Sequence, residues 1–187
     1  MEHPRRLVEQ PKRILIVGSP GSGSAEVAAS VGERLALPVI SLNRERAAVK
    51  TPEWGARAAV LAANEVWVME GADATTFNVC TQRTDWIVWF DIPMPVCLFR
   101  ALGQIARRSR GGAVERKGER LDWRSVGQIW RFPNQTRPRI VELVNRQRRA
   151  KTIFILHSQA EIDDFLGKLP SVSGLGEGFA LRGDPRP

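Results

Sequence analysis

Short apolar runs alternate with longer amphipathic segments along this chain. Five short and mostly apolar runs are typical of strands that are buried on both faces of a parallel sheet. These runs lie at residues 14–17, 38–41, 65–69, 86–90 and 152–156. Between the runs, apolar residues recur at the spacing of a helix face, which predicts helices. The predicted helices cover residues 24–35, 51–64, 95–108, 123–132, 136–149 and 159–169.

This alternation predicts a single α/β domain over residues 1–169. Helices on both faces of a five-stranded parallel sheet give three layers, α/β/α. A helical and basic insertion separates the fourth and fifth strands, and its segment 109–120 is predicted to be a polar loop. The tail at 170–187 is rich in Gly, Ser and Pro and is predicted to be disordered.

Several helix ends carry signals of their own. Thr51, followed by Pro52 and Glu53, predicts a helix start. Asp122 and Ser158 have the side chains that favour the first position of the two helices that follow them. Pro133 predicts a break between helices 123–132 and 136–149, because proline lacks an N–H and its ring clashes with the preceding turn.

The first predicted strand ends in a glycine-rich turn. Residues 18–25 have the glycine spacing of a P-loop, G-x-x-x-x-G-K-[ST], between a strand and a helix, which is the context that the motif requires. Its backbone N–H groups predict an anion-binding nest; the alternative is an ordinary turn. The predicted phosphate-binding residues of this loop are Gly18, Ser19, Pro20, Gly21, Ser22, Gly23, Ser24 and Ala25.

The loop departs from an active P-loop in its side chains. The lysine position holds Ser24 and the Ser/Thr position holds Ala25. In active P-loop enzymes the lysine contacts the β- and γ-phosphates and the hydroxyl binds Mg²⁺. ATP and Mg²⁺ are the cofactors that the loop suggests, and these two residues count against both. Glu26 lies in the first turn of the predicted helix, where the helix dipole stabilises its negative charge. The same charge would repel a phosphate bound at that helix end.

Charge is distributed unevenly along the chain. The net charge is +8, while residues 100–151 hold 15 Lys/Arg and 4 Asp/Glu. This basic region predicts an anionic partner, such as the phosphates of a nucleotide or a nucleic acid. The alternative is a solvated surface on helix faces that would be exposed in any case.

Three segments carry a resemblance to a known family. They are the strand, loop and helix followed by residues 35–42; Phe-Asp-Ile-Pro at 90–93 with Cys-Leu-Phe-Arg at 97–100; and Trp-Arg-Phe-Pro at 130–133 with Arg-Pro-Arg-Ile at 137–140. Over about residues 13–169 the chain resembles the DNA topology modulation proteins, which are adenylate-kinase-like members of the P-loop NTPase superfamily. Measured against that family, residues 18–25 form a degenerate Walker A motif.

The resemblance implies a nucleoside-monophosphate-kinase fold with ATP binding, phosphotransfer and a lid of arginines, placed here at about residues 109–120. Arg100 and Arg110 are the candidates for phosphate binding, and Arg107 and Arg108 for catalysis. An arginine is suited to bidentate phosphate contacts. Arg107 and Arg108 also end a helix, where a cation favours the dipole, so a structural role is the alternative.

Asp91 and two further positions bear on the nucleotide chemistry. Asp91 closes the fourth predicted strand and is a candidate metal or water ligand; the alternative is a helix cap. The acidic residue that the family has after the second strand falls on Asn43. The Gly-Asn-Tyr that the family has after the third strand is Gly-Ala-Asp at 71–73. These departures add to those at Ser24 and Ala25.

The remaining residue types add less. The six tryptophans are predicted to pack in the core or between helices, with Trp123 and Trp130 as an alternative base-stacking surface. Cys80 and Cys97 are predicted to be buried thiols, and no zinc spacing is present. The polar N-terminus and the lack of a long apolar run predict a cytoplasmic protein with no membrane segment.

Three functions are compatible with the sequence. The first is a pseudokinase that still binds a nucleotide or another small phosphate anion through the loop. The second is an active nucleotide kinase or ATPase in which a lid arginine replaces the P-loop lysine. The third is a protein that binds nucleic acid or an acidic partner through residues 100–151.

Overall fold

Five parallel strands organise the chain, and a computed structural model describes residues 10–73, 76–109 and 122–170. The strands are β1 (Arg13–Gly18), β2 (Val39–Ser41), β3 (Trp67–Glu70), β4 (Trp86–Phe90) and β5 (Thr152–Leu156). The α-helices of these described ranges are α1 (Ser24–Leu35), α2 (Leu42–Ala47), α3 (Trp54–Ala62), α4 (Phe77–Thr81), α5 (Met94–Ser109), α6 (Trp123–Arg131), α7 (Arg137–Gln147) and α8 (Gln159–Lys168).

The strand order is β2-β3-β1-β4-β5, and every neighbouring pair is parallel. Strand β1 therefore lies at the centre, with Ile16 beside Glu70 of β3 and Gly18 beside Phe90 of β4. Because all strands run the same way, their carboxyl ends share one edge of the sheet. The glycine-rich loop that follows β1 consequently lies between the ends of β3 and β4.

Helices cover both faces of the sheet, which confirms the predicted three-layer architecture. Alternate residues of β1 point to opposite faces, so Ile14 and Ile16 enter one apolar core while Leu15 and Val17 enter the other. The first core includes buried side chains of α1, α5, α6 and α8. The second core includes buried side chains of α2, α3, α4 and α7.

The predicted break at Pro133 is wrong. Residues Phe132–Thr136 form a π-helical turn that joins α6 to α7, so the chain stays helical from Trp123 to Gln147. A wider turn accommodates a residue that has no N–H and whose ring would clash in a regular α-helix. Phe132 is buried in the second core and helps to hold the turn against the sheet.

Local signals predict other helix ends more closely. Asp122 and Ser125 form a capping box, in which Asp122 Oδ1 accepts from Ser125 N at 2.8 Å. These hydrogen bonds lower the pKa of Asp122. Ser158 Oγ accepts from Glu161 N at 3.3 Å at the start of α8. Residues Thr51–Glu53 form a 3₁₀ turn before α3 rather than the first turn of the α-helix.

The tryptophans divide into two groups. Trp54, Trp67 and Trp89 are buried, as predicted, and Trp86 is partly buried against the first core. Trp123 and Trp130 are 71% and 66% exposed, so for these two the prediction of packing in the core or between helices is wrong, and the alternative of a base-stacking surface stays open. Helix α6 buries Ser125 and Ile129, whereas residues 123 and 130 lie on a different side of the helix. Both cysteines are buried free thiols, as predicted.

Two of the predicted segments extend beyond the described residues. Of the lid at 109–120 only Ser109 is described, and of the tail at 170–187 only Pro170 is described. The predicted disorder of the tail therefore stays a prediction. None of the helices in the described ranges has the length and hydrophobicity that a membrane crossing requires.

Replacing Gly32 and Gly103 by alanine should change the stability of the protein in opposite directions. A Cβ at Gly32 of α1 would collide with Val39 Cγ2 and lie 2.9 Å from Leu37 O, whereas a Cβ at Gly103 of α5 would meet no atom within 4 Å. We expect Gly32→Ala to lower the free energy of unfolding by about 1–3 kcal/mol through overpacking. We expect Gly103→Ala to raise it by about 0.5–1 kcal/mol, because alanine favours a helix.

Urea unfolding followed by circular dichroism measures both changes under the same conditions. A stabilising effect of Gly32→Ala would contradict the close approach of α1 to Leu37 and Val39.

Candidate functional site

The candidate site lies at the carboxyl edge of the sheet. The loop of residues 18–25 connects β1 to α1, with Glu70 at the end of β3 on one side and Asp91 after β4 on the other. In open parallel sheets this edge is where ligands bind. The eight predicted loop residues therefore lie together at the position that the fold uses for binding.

Two glycines give the loop its shape. Gly21 and Gly23 have φ angles of 75° and 91°, which are in the left-handed region that favours glycine. Ser22 N donates to Ser19 O at 3.0 Å, and Val27 N donates to Gly23 O at 3.0 Å. A Cβ at Gly21 would lie 2.6 Å from Cys97 O. The loop thus packs directly against the backbone of α5.

Arg100 places a cation beside the loop. Its Nη1 donates to Ser22 O at 2.9 Å, and its Nη2 donates to Gln159 Oε1 at 2.8 Å. The same Nη1 lies 3.3 Å from the position that a Cβ would take at Gly23. One guanidinium therefore links α5, the loop and the start of α8, and its two bonds use only part of its five N–H groups.

A cavity of about 320 Å³ opens beside this arginine. Its walls combine backbone of the loop, two arginines, two amides, one carboxylate and two apolar side chains. They are Gly21, Gly23, Glu26, Val27, Arg100, Gln104, Arg107, Gln159 and Ile162. The cavity brings positive charge and hydrogen-bond donors to the start of α1, where the helix dipole also favours an anion.

The predicted lid arginines are in different places. Arg107 lines the cavity beside the loop. Arg108 Nη2 donates to Gln104 Oε1 at 3.3 Å, one turn away on its own helix. Arg110 lies outside the described residues. The structure therefore brings Arg100 and Arg107 together at the loop.

The side chains of the loop differ from those of an active P-loop. Ser24 is nearly buried, at 7% exposed, in the first turn of α1, and it carries no charge. Ala25 has no side-chain hydroxyl for a metal. Glu26 places a carboxylate on the wall of the cavity. The residues that would neutralise a polyphosphate and bind its Mg²⁺ in an active P-loop are thus not present at this loop.

Asp91 pairs with an arginine. Its Oδ1 and Oδ2 accept from Nε and Nη2 of Arg137, both at 2.7 Å. His157 Nδ1 lies 3.7 Å from Asp91 Oδ2, and the Arg137 guanidinium lies 5.8 Å from the centre of the Trp89 ring. The pairing raises the pKa of Arg137. Asp91 therefore has a role, in holding Arg137 of α7, that neither sequence-based interpretation included.

Among the described residues, no three His, Cys, Asp or Glu side chains are grouped closely enough to hold a metal ion.

Glu70 is a functional candidate that the sequence-based reasoning missed. It ends β3, is 5% exposed, and lies beside Ser41 of β2 and Ile16 of β1. Burial raises the pKa of Glu70; a hydrogen bond with Ser41 and the charge of Arg44 oppose this change, and the charge of Glu26 adds to it. The signal in the sequence was an acidic residue closing an apolar strand next to the loop strand.

The other family departures also lie at this edge. The amide of Asn43 approaches Gly71 so closely that a Cβ there would be 2.7 Å from Nδ2. Asp73 Oδ1 accepts from Thr76 N at 2.9 Å, and Asp73 Oδ2 accepts from Arg46 Nη1 at 2.5 Å. These residues thus stabilise the connections after β2 and β3.

The raised pKa of Glu70 predicts a pH dependence of stability. The folded protein holds this proton more tightly than the unfolded chain does, so the residue reduces stability as the pH rises above its ordinary pKa of 4.5. We expect Glu70→Gln to increase the free energy of unfolding at about pH 7–8 and to change it little below about pH 4. Urea unfolding at several pH values measures the difference.

The exposed Glu65, changed to Gln, is the matched control and should show no such pH-dependent difference. A Glu70→Gln protein that is less stable than the native protein at neutral pH would mean that the charge of Arg44 outweighs the effect of burial.

Comparisons with solved structures identify the fold. The structure of shikimate kinase from Acinetobacter baumannii in complex with shikimate aligns with a TM-score of 0.55 and 15% identity, over 86% of this chain and 91% of that chain. Shikimate kinase from Bacteroides thetaiotaomicron aligns with a TM-score of 0.50 and 14% identity, over 89% and 98%. In comparisons by sequence, no protein-family profile and no curated protein matches the chain.

At these identities the likeness bears on the fold alone, so the resemblance to DNA topology modulation proteins stays a prediction. The all-parallel sheet, its flanking helices and the loop after β1 agree with the fold of the P-loop nucleotide kinases. The protein has this kinase-like fold.

Proposed function

We propose that this protein binds a small phosphate-bearing molecule, a nucleotide or another phosphate anion, at the glycine-rich loop. We further propose that it has weak or no ATP-dependent phosphotransfer. The observation that carries the proposal is the position of Arg100, whose guanidinium lies against the loop while the loop itself has no lysine. The proposed binding residues are those of the loop together with Arg100 and Arg107.

Two features support binding, and both would stabilise the negative charge of a phosphate at the loop. The turn through Gly21 and Gly23 presents backbone N–H groups at the start of α1, where the helix dipole adds to their effect. Arg100 and Arg107 supply two guanidinium groups at the cavity that the loop lines. Hydrogen bonds from a charged donor to a phosphate are about twice as strong as those between neutral groups.

Weak phosphotransfer is supported by what surrounds this anion site. Ser24 and Ala25 replace the lysine and the metal-binding hydroxyl, and removing one well-placed electrostatic contact in an enzyme costs roughly 3–4 kcal/mol of transition-state stabilisation. Asp91 is occupied by Arg137, and Glu26 adds a like charge near the phosphates. Phosphoryl transfer depends mainly on positioning the substrates and on neutralising the charge of the phosphates. All of these changes would weaken that neutralisation.

An active kinase or ATPase is the alternative. The position of Arg100 favours it in one respect, because a guanidinium beside the loop is a cation that can take the place of the missing lysine. Two of its structural neighbours are shikimate kinases, and one of these two is in complex with shikimate. In this alternative Arg100, rather than Arg107 or Arg108, is the residue on which turnover depends.

A further alternative is binding of nucleic acid or an acidic partner through residues 100–151. This binding would use surfaces other than the glycine-rich loop. Two arginines of that region are already paired, Arg137 with Asp91 and Arg146 with Glu142. These ion pairs offset part of the positive charge that the region would present to such a partner.

The proposal predicts which ligands bind at the loop and whether their binding requires Mg²⁺. We expect isothermal titration to detect ADP or pyrophosphate binding that changes little when Mg²⁺ is removed, because the loop lacks a metal-binding hydroxyl. Arg100→Gln should weaken this binding by about tenfold or more, the effect of losing one charged hydrogen bond. Arg146→Gln, which removes an equal charge on α7, is the control and should leave the affinity unchanged.

The double variant Ser24→Lys with Ala25→Ser should gain Mg²⁺-dependent ATP binding if the cradle is intact. Absence of binding by every phosphate ligand would contradict the proposal. Turnover of ATP by the native protein, lost in Arg100→Gln, would contradict weak phosphotransfer and establish the alternative.

A further inference from the structure

Helices α5 and α6 expose large aromatic side chains to solvent. Phe99 of α5 is 79% exposed, and Trp123 and Trp130 of α6 are 71% and 66% exposed. Tryptophan is usually largely buried, and exposed aromatic side chains mark interaction sites when several occur together. The two helices pack against each other, so the three rings belong to one structural unit.

The tryptophans of α6 are arranged in a regular way. Seven residues separate Trp123 from Trp130, which is about 20° short of two full turns, so both rings lie on the same side of the helix. The rise of the helix places them about 10.5 Å apart along its axis. Each is followed by an exposed arginine, Arg124 and Arg131. Helix α6 therefore carries two identical Trp-Arg pairs on its exposed surface.

The charge along α5 and α6 is mainly positive. The segments 92–109 and 123–141 contain seven arginines and no aspartate or glutamate. The carboxylates that directly flank these two segments are engaged, because Asp91 pairs with Arg137, Asp122 caps α6 and Glu142 pairs with Arg146. The positive charge of the two helices therefore favours an anionic partner. A second copy of this chain would bring arginines against arginines and is disfavoured.

We propose that the α5–α6 surface binds single-stranded nucleic acid, with bases stacking on Trp123 and Trp130 and with Arg124 and Arg131 contacting phosphates. Flat aromatic rings accept any unpaired base, and flanking cations follow the backbone. The separation of about 10.5 Å is about three times the 3.4 Å spacing of stacked nucleotides, so the two indoles reach different bases of one strand. Paired bases in a duplex are not available for this stacking.

This binding does not depend on the function proposed for the loop. Arg100 and Gln104 contact the loop or line its cavity, whereas Trp123 and Trp130 do neither. Loss of phosphate binding at the loop would therefore leave the inference standing, and the reverse also holds.

The test uses the full-length protein and three fluorescein-labelled probes in anisotropy titrations. The probes are a twelve-nucleotide oligothymidylate, an abasic oligomer with the same number of phosphates, and a duplex of the same length. We expect the oligothymidylate to bind most tightly, because only its bases are free to stack. The Trp123→Ala/Trp130→Ala protein should lose about 30-fold or more in affinity for it, because both stacking contacts are removed, and should bind the abasic oligomer as before.

Conservative and charge variants separate stacking from net charge. Trp123→Phe/Trp130→Phe should retain most of the affinity, since phenylalanine also stacks. Arg124→Gln/Arg131→Gln should reduce the slope of log affinity against log salt by about 1.4, at roughly 0.7 per phosphate contact with a single strand. Arg148→Gln/Arg149→Gln removes the same charge from the exposed turn that follows α7, and it should leave the slope unchanged.

Several results would overturn the inference. Equal affinity for the abasic oligomer and the oligothymidylate would show charge attraction without stacking. Tryptophan-dependent binding of poly-glutamate, with none of the oligothymidylate, would assign the surface to an acidic protein. A dimer in sedimentation that Trp123→Ala/Trp130→Ala dissociates would assign it to a second copy. Because these side chains are exposed, the variants should keep the native Tm, which thermal unfolding checks.

Discussion

The contact between the glycine-rich loop and α5 is the constraint on which the candidate site depends. A Cβ at Gly21 would lie 2.6 Å from the carbonyl oxygen of Cys97, which leaves no room for a side chain, and a Cβ at Gly23 would lie 3.3 Å from Nη1 of Arg100. This approach fixes the direction of the loop N–H groups and brings a cation to them at the same time. The loop, α5 and the start of α8 therefore form one rigid arrangement rather than three independent parts.

Charge at the carboxyl edge of the sheet is arranged around this contact. Arg100 and Arg107 of α5 line the same cavity as Glu26, and Glu70 is buried at the end of β3. Asp91 on the next strand is neutralised by Arg137. A cation at the loop is thus supplied from another helix, because the loop itself has no lysine.

The strands of the sheet could be predicted from the sequence. The contacts of side chains that reach the site from distant segments of the chain could not. Apolar runs such as 86–90 predict strands well because both faces of a parallel strand are buried. Helices α2 and α4 were missed because five or six residues show too little periodicity. The partners of Arg100 and Asp91 lie 46 to 78 residues away in the chain, and no local pattern indicates such contacts.

The π-helical turn at Phe132–Thr136 has a consequence for how this chain can vary. Ile129 before the turn enters one core, whereas Phe132 and Ile140 enter the core on the opposite face of the sheet. Each residue of a helix rotates the chain by about 100°, so the phase between α6 and α7 depends on the number of residues in the turn. Deleting one residue there would rotate Ile129 out of its core and move both exposed tryptophans to another side. The length of this segment is therefore under stronger constraint than the identity of its residues.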